Sequence, residues 1–317
     1  MLAERRTENR IARSARRAGL DTIARPRRLA FVTRLTDLLV RSGVASLARR
    51  VGPRRIAWLS ALAPRAEGAP FVLAERTDAD VCLFAGCVMR EAFGDTERAT
   101  VRVLERDGHR VTAPTRQMCC GALHAHAGDG EQARALARSN IDAFAGNELP
   151  IVVNAAGCGA HLKAYGDVLH EDPAWAPRGR AFAARVRDAT EVTRPRRERV
   201  GRPLRVVYQD ACHLAHGQRI RAQPRALLRA IEGVTVVEIA DAERCCGSAG
   251  IYNLTQPDLS QELQRQKVAA IVAARPDVVV SANPGCILQI VAGLRAAGSS
   301  VPVVHIMRFL DDPGAFA

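Results

Sequence analysis

Residues 80–87 read Asp-Val-Cys-Leu-Phe-Ala-Gly-Cys, and residues 204–212 read Leu-Arg-Val-Val-Tyr-Gln-Asp-Ala-Cys. Each is a short apolar run of the kind that forms a strand buried on both faces, and each ends at a cysteine. The chain continues to one plan after both. Following the first run, residues 97–106 read as a helix, 109–113 as a strand, 129–145 as an amphipathic helix and 150–154 as a buried strand. Following the second, 225–231 is helical, 234–239 extended, 259–274 helical and 277–281 extended, and a strand over 301–306 closes the chain. Strands alternating with helices in this way predict an α/β fold with mostly parallel strands.

The cysteines mark the same repeat. The first half holds Cys87, the pair Cys119-Cys120 followed by Gly121, and Cys158; the second holds Cys212, the pair Cys245-Cys246 followed by Gly247, and Cys286. From single to paired cysteine the gaps are 31 and 32 residues, and from the pair to the last cysteine 37 and 39. Eight of the nine cysteines thus fall into two matched sets, the signature of an internal repeat. Two related α/β lobes are expected, over 78–172 and 203–312. The Arg- and Pro-rich stretch 172–203 between them reads as a linker or a surface insertion.

Cys87, Cys158, Cys212 and Cys286 each come just after a predicted strand, where open α/β sheets hold their ligands. Glycines beside them let backbone approach a bulky group and aim amides at its sulfur atoms. Four thiolates per half meet the needs of an iron–sulfur cluster. Adjacent cysteines diverge and suit separate irons of one cluster, whereas tetrahedral zinc sites more often space their ligands two to four residues apart. Zinc and thiol-redox chemistry remain the alternatives. Cys82, on the opposite face of its strand from Cys87, reads as a core residue.

The net charge of +13 is unevenly spread. Residues 1–65 carry 16 Lys+Arg against 4 Asp+Glu, while the rest carries 30 against 29. The body is nearly neutral, which argues against a nucleic-acid groove. The first 70 residues read as a basic helical arm, with Phe31, Leu35, Leu38 and Leu39 on one face. Such an arm can meet an acidic subunit or an anionic membrane. No run approaches the roughly 18 apolar residues of a membrane span, and the start of the chain has no apolar signal core. A cytoplasmic protein is expected, peripheral at most to the inner face of the membrane. Without an export signal, metal or redox roles suit the cysteines better than disulfides.

Three motifs carry a family resemblance: Asn154-Ala-Ala-Gly-Cys-Gly-Ala-His-Leu-Lys163, Gln209-Asp-Ala-Cys-His-Leu-Ala-His216 and Cys245-Cys-Gly-Ser-Ala-Gly-Ile-Tyr252. Over residues 78–312 the chain resembles the cysteine-rich CCG domain that occurs twice in glycolate oxidase iron–sulfur subunits, lactate-utilisation iron–sulfur proteins and heterodisulfide reductase B-type subunits. The resemblance implies 4Fe-4S clusters, up to one per lobe. It also implies electron transfer from a flavoprotein dehydrogenase subunit, carrying FAD, that oxidises a 2-hydroxy acid. The glycolate oxidase subunit begins with a ferredoxin-like domain of C-x2-C-x2-C-x3-C-P runs, absent before Cys82 here; a separate ferredoxin-like protein supplies it, or the frame starts upstream of Met1. The heterodisulfide reductase version ends each repeat in C-x2-C. The corresponding positions here are His161 and Gln289, which speaks against a five-cysteine cluster and against a catalytic disulfide reductase. No catalytic residue is expected on this chain, and no nucleotide-binding glycine motif occurs.

Several polar residues near the cysteines invite structural readings. Asp210 is expected to cap the turn after its strand. His213 and His216 serve a helix start or bond to a cluster. His161 is a donor beside the site rather than a ligand, and His124 and His126 pack or lie exposed.

Overall fold

In the computed structural model, residues 10–317 are described, with side chains from residue 14 onward. Four helices come first: α1 (Arg10–Ala24), α2 (Pro26–Arg41), α3 (Val44–Val51) and α4 (Arg54–Leu62). Pro26 opens α2, where a missing amide costs no hydrogen bond. An irregular segment then leads into the body.

The first lobe runs β1 (Val81–Phe84), α5 (Val88–Ala92), α6 (Gly94–Arg106), β2 (Val111–Thr112), α7 (Ala122–His126) and α8 (Gly130–Ala143). It continues through β3 (Ile151–Val153), α9 (Ala156–Lys163), α10 (Tyr165–Val168), α11 (Ala176–Arg185), β4 (Val186–Asp188) and α12 (Ala189–Val192). The second lobe runs β5 (Arg199–Gln209), one π-helical turn (His213–Gly217), α13 (Ala222–Arg229), β6 (Glu232–Val237) and α14 (Tyr252–Thr255). Then come α15 (Pro257–Ala273), β7 (Val278–Ser281), α16 (Pro284–Ala296), β8 (Val303–His305), α17 (Ile306–Asp311) and a closing 3-10 turn (Pro313–Phe316).

Each lobe holds a four-stranded sheet, in the orders β2-β1-β3-β4 and β6-β5-β7-β8. Every pairing is parallel. All side chains of β1, β3 and β7 are buried, as parallel strands covered on both faces require. The expectation of two related α/β lobes is met, and their packing is two-fold in pattern. Helix α6 packs on α17 while its counterpart α13 packs on α12, and α9 meets the π-helical turn. Met89 and Ala92 of α5, with Phe93 just after it, lie against Ile287 of α16 in the equivalent contact. One apolar core runs through both lobes, joining Leu83, Leu104 and Val152 of the first to Val206, Val279 and Phe309 of the second.

The stretch 172–203 is no linker. It folds into α11, β4 and α12, and β4 pairs with β3 as the fourth strand of the first sheet. Only three residues form that strand, and the apolar anchors that seat it, Phe182, Val186 and Ala189, are scattered among arginines. The sulfur of Cys82 points toward the Asn147 side chain within the first lobe's core.

Candidate metal centre

The strand order decides where the cysteines go. In each sheet the first strand has the second on one side and the third on the other, so the loops leaving all three strands open at one edge. Cys87, the pair Cys119-Cys120 and Cys158 leave β1, β2 and β3; Cys212, the pair Cys245-Cys246 and Cys286 leave β5, β6 and β7. The structure brings each set of four together.

In the first set the sulfurs of Cys87 and Cys119 are 3.6 Å apart. The Cys119 thiol also meets Cys120, which meets Cys158. The Asn140 side chain holds the pair from α8. It takes the Met118 amide at 2.8 Å and donates to the Cys119 carbonyl at 3.0 Å. It also donates to the Tyr165 hydroxyl, which donates onward to the Cys120 carbonyl at 2.8 Å. Asn140 is a polar residue on the buried face of an otherwise apolar stripe, a signal the sequence did contain.

In the second set Cys212 lies against Cys245, and Cys246 against both Cys245 and Cys286. Here nitrogen donors reach the sulfurs. The Gly247 amide donates to Cys245 Sγ at 3.4 Å, and Asn283 Nδ2 to Cys286 Sγ at 3.4 Å. Hydrogen bonds from the Cys212 and Cys246 thiols and from backbone amides hold Cys245 well below the ordinary thiol range. The Cys246 thiol and Asn283 lower Cys286 in the same way. In the first set the Cys119 contact and burial instead push Cys87 up. All nine cysteines are free of disulfides.

Gly121 and Gly247 follow the two pairs with φ of +91° and +92°, a left-handed turn that favours glycine. A Cβ on Gly121 would stand 3.3 Å from His161 Nε2, and one on Gly247 3.1 Å from Gln289 Nε2. His161 and Gln289, each three residues after the last cysteine of its set, therefore occupy equivalent places beside the thiols. Burial, then the neighbouring His126, His124 and His213, lowers His161 to about 4, so it stands neutral. His213 opens the π-helical turn with its Nδ1 3.5 Å from Cys212 Sγ. His126 packs edge-on against it at 5.4 Å, and His124 is buried. His216 bonds to Arg221. Asp210 does not cap the turn: it is buried in a two-point ion pair with Arg225 at 2.9 and 2.7 Å.

The two sets meet at the lobe interface. Asn283, beside Cys286, accepts the amide of Gly157 next to Cys158 at 3.2 Å, and the Ala156 amide bonds to the Ala282 carbonyl at 3.0 Å. Asn283 has no counterpart in the first repeat, so the repeat pattern gave no cue to it. The arm also belongs to the site. Ala24 and Leu29 pack on Cys87 and Cys119, while α4 contacts α16 and Trp58 donates to the Asn253 carbonyl at 2.8 Å.

Four thiols from three loops, touching one another and approached by backbone amides, fit the ligand demand of an iron–sulfur cluster. Among the described residues no three His, Cys, Asp or Glu side chains are arranged as ligands of one ion; the sulfurs form a string of contacts instead.

Comparison with known proteins finds the same two repeats. The family described as "CCG: Cysteine-rich domain" matches residues 81–163 and again 206–291, each span ending just after the last cysteine of its set. The chain is 38% identical over 238 residues to the "Probable glycolate oxidase iron-sulfur subunit" of Bacillus subtilis (strain 168), covering 73% of this chain and 54% of that protein. It therefore spans about half the length of that relative. "Lactate utilization protein A" of Exiguobacterium sp. (strain ATCC BAA-1283 / AT1b) is 30% identical over 243 residues, which cover 74% of this chain and 97% of that protein. A solved structure of a hypothetical protein from Helicobacter pylori shares the fold, with a TM-score of 0.55 at 9% identity over 83% of this chain and 55% of that one. With both repeats matched and their cysteines gathered at equivalent strand ends, the chain belongs to the CCG family of cysteine-rich domain proteins.

Proposed function

We propose that this chain is the iron–sulfur subunit of a flavin-linked 2-hydroxy-acid oxidase or dehydrogenase, of glycolate or lactate type. The observation that carries the reading is the pair of equivalent four-thiol sets meeting at the lobe interface. In this reading the cysteine-rich domains of 78–172 and 203–312 sit within lobes of which the first runs on to Val192 and the second begins at Arg199. Cys87, Cys119, Cys120 and Cys158 hold one cluster of 4Fe-4S type, and Cys212, Cys245, Cys246 and Cys286 a second. When bound, such a cluster supplies a one-electron carrier.

The chain's own residues do the rest. The Gly247 amide and Asn283 donate toward sulfurs of the second set. Hydrogen bonds to cluster sulfurs raise reduction potential, so these donors, with the Val88 and Gly121 amides beside Cys87 and Cys119 in the first set, would tune the two clusters. Helices α1 and α2 exclude water from the first set. The names of the relatives from Bacillus and Exiguobacterium support a role in hydroxy-acid oxidation; in this reading the flavin and the carbon chemistry sit on a partner subunit.

The test mixes the anaerobically loaded chain with a flavoprotein 2-hydroxy-acid dehydrogenase from the same organism and follows visible bleaching on adding glycolate or lactate. Bleaching that requires both flavoprotein and hydroxy acid supports the relay. No bleaching, with turnover of a thiol–disulfide substrate instead, contradicts it.

A further inference from the structure

The apolar stripe of the arm does not pack on the body. On α2 the inward residue is Leu29, and the opposite side presents Phe31, 68% exposed, with Leu35 and Leu38, the latter 62% exposed. Leu47 and Val51, 74% exposed, are bare on α3, which packs beside α2, and so are Ile56 and Leu59 on α4, which packs beside α3. This is far more exposed apolar surface than a lone side chain here and there.

Arginines border it. Arg27, Arg34 and Arg41, seven residues apart, follow one flank of the Phe31–Leu38 ridge at helical spacing. Residues 14–65 hold twelve arginines and two acids. Both acids are engaged inside the arm: Asp21 pairs with Arg25 and Arg28, and Asp37 with Arg41 and the Ala66 amide. The surface left over is strongly positive. Between residues 31 and 59 every exposed residue is aliphatic, Phe31 or arginine, apart from Ser42, Gly43 and Pro53 in the turns.

We propose that this outer face of α2, α3 and α4 seats the protein on an anionic membrane surface. The apolar ridge enters the boundary between headgroups and acyl chains while the flanking arginines reach lipid phosphates, as long basic side chains on an interfacial helix do. The two acids of the arm are already paired within it, so the charge this face offers is almost wholly positive, the complement of an anionic leaflet. A fluid anionic leaflet needs only apolar depth and positive charge. No helix among the described residues is long and apolar enough to cross a membrane, so the contact is one of surface seating. The proposal does not rest on the iron–sulfur reading, because the face is formed by exposed side chains, whereas Ala24 and Leu29 make the arm's contacts with the cysteines.

The test is co-sedimentation of the full chain with vesicles of phosphatidylcholine alone and with about one third phosphatidylglycerol, at low and high salt. Binding is expected to the anionic vesicles only and to weaken with salt. Phe31→Ser with Leu38→Ser keeps the charge and the fold, checked by circular dichroism, and should weaken that binding about tenfold or more. Arg27→Gln with Arg34→Gln should weaken it too, with the apolar face intact. Absence of binding to anionic vesicles at low salt overturns the proposal. Undiminished binding by the serine variant overturns it as well, leaving charge attraction alone. Self-association that the serine variant abolishes, without vesicle binding, assigns the face to a second copy instead.

Discussion

His305, at the end of the second lobe's last strand, donates Nε2–H to the carbonyl oxygen of Asn154 in the first lobe at 2.9 Å. Its other ring nitrogen accepts the Met307 amide at 3.2 Å and caps α17. A carbonyl can only accept and an amide can only donate, so these two bonds require the neutral imidazole with its proton on Nε2. One buried histidine thus ties the lobes together beside the strand end that leads to Cys158.

Burial lowers His305 to about 4, against about 6.5 in an unfolded chain. A depressed value contributes stability that is fully present above pH 6.5 and lost as pH falls through 4. The difference is about 3 kcal/mol. His305→Asn should therefore show a shallower loss of denaturant midpoint between pH 7 and pH 4 than the parent. Parallel acid limbs in the two proteins would show that His305 stays uncharged for no energetic reason.

Asp188 holds the equivalent place in the first lobe, where its carboxylate takes the amide and hydroxyl of Thr190 at 2.9 and 2.6 Å. It is buried with its second oxygen unpartnered, and desolvation raises it to about 6. The sign is opposite to that of His305. Its stabilising protonated form is complete below about pH 3.9 and is lost as pH rises through 6, a change of about 3 kcal/mol. Asp188→Asn keeps the capping oxygen, so its stability relative to the parent should rise between pH 4 and pH 7. A constant gap across that range, measured by chemical denaturation, would contradict this.

The two glycines after the cysteine pairs should differ in their tolerance of alanine. Both have positive φ, which costs an alanine about 1 kcal/mol. At Gly121 the nearest atoms to a new Cβ are 3.3 Å away, but at Gly247 the Ser260 carbonyl oxygen stands at 2.3 Å. Gly247→Ala must push α15 aside and should cost at least twice as much as Gly121→Ala, on the order of 2–3 kcal/mol. Thermal melts of the two variants compare them directly, and equal losses would show that α15 yields freely.

Much of this was legible in the residues. Short apolar runs such as Val81–Phe84 and Val278–Ser281 announce strands buried on both faces, and the doubled cysteine spacing announces two equivalent sites. Other parts were hidden because local composition and tertiary role diverge. Strand β4 has one exposed arginine between two buried residues and lies in an Arg-rich stretch that reads as a linker. Most of the arm's conspicuous leucines face outward, while the small residues Ala24 and Ala45, with Leu20 and Leu29, make the inward contacts. Asn283 joins the two cysteine sets through bonds that no spacing rule anticipates.

Iron, acid-labile sulfide and zinc counted per chain on anaerobically purified protein, with EPR spectra before and after reduction, test the central claim most directly. Two four-iron clusters correspond to about eight irons and eight sulfides per chain. Cys119→Ser and Cys245→Ser should each remove one EPR signal and leave the other, because each alters the thiols of one lobe. Zinc without sulfide, or a chain that takes up no iron on reconstitution, would contradict the account and leave the eight thiols with another purpose.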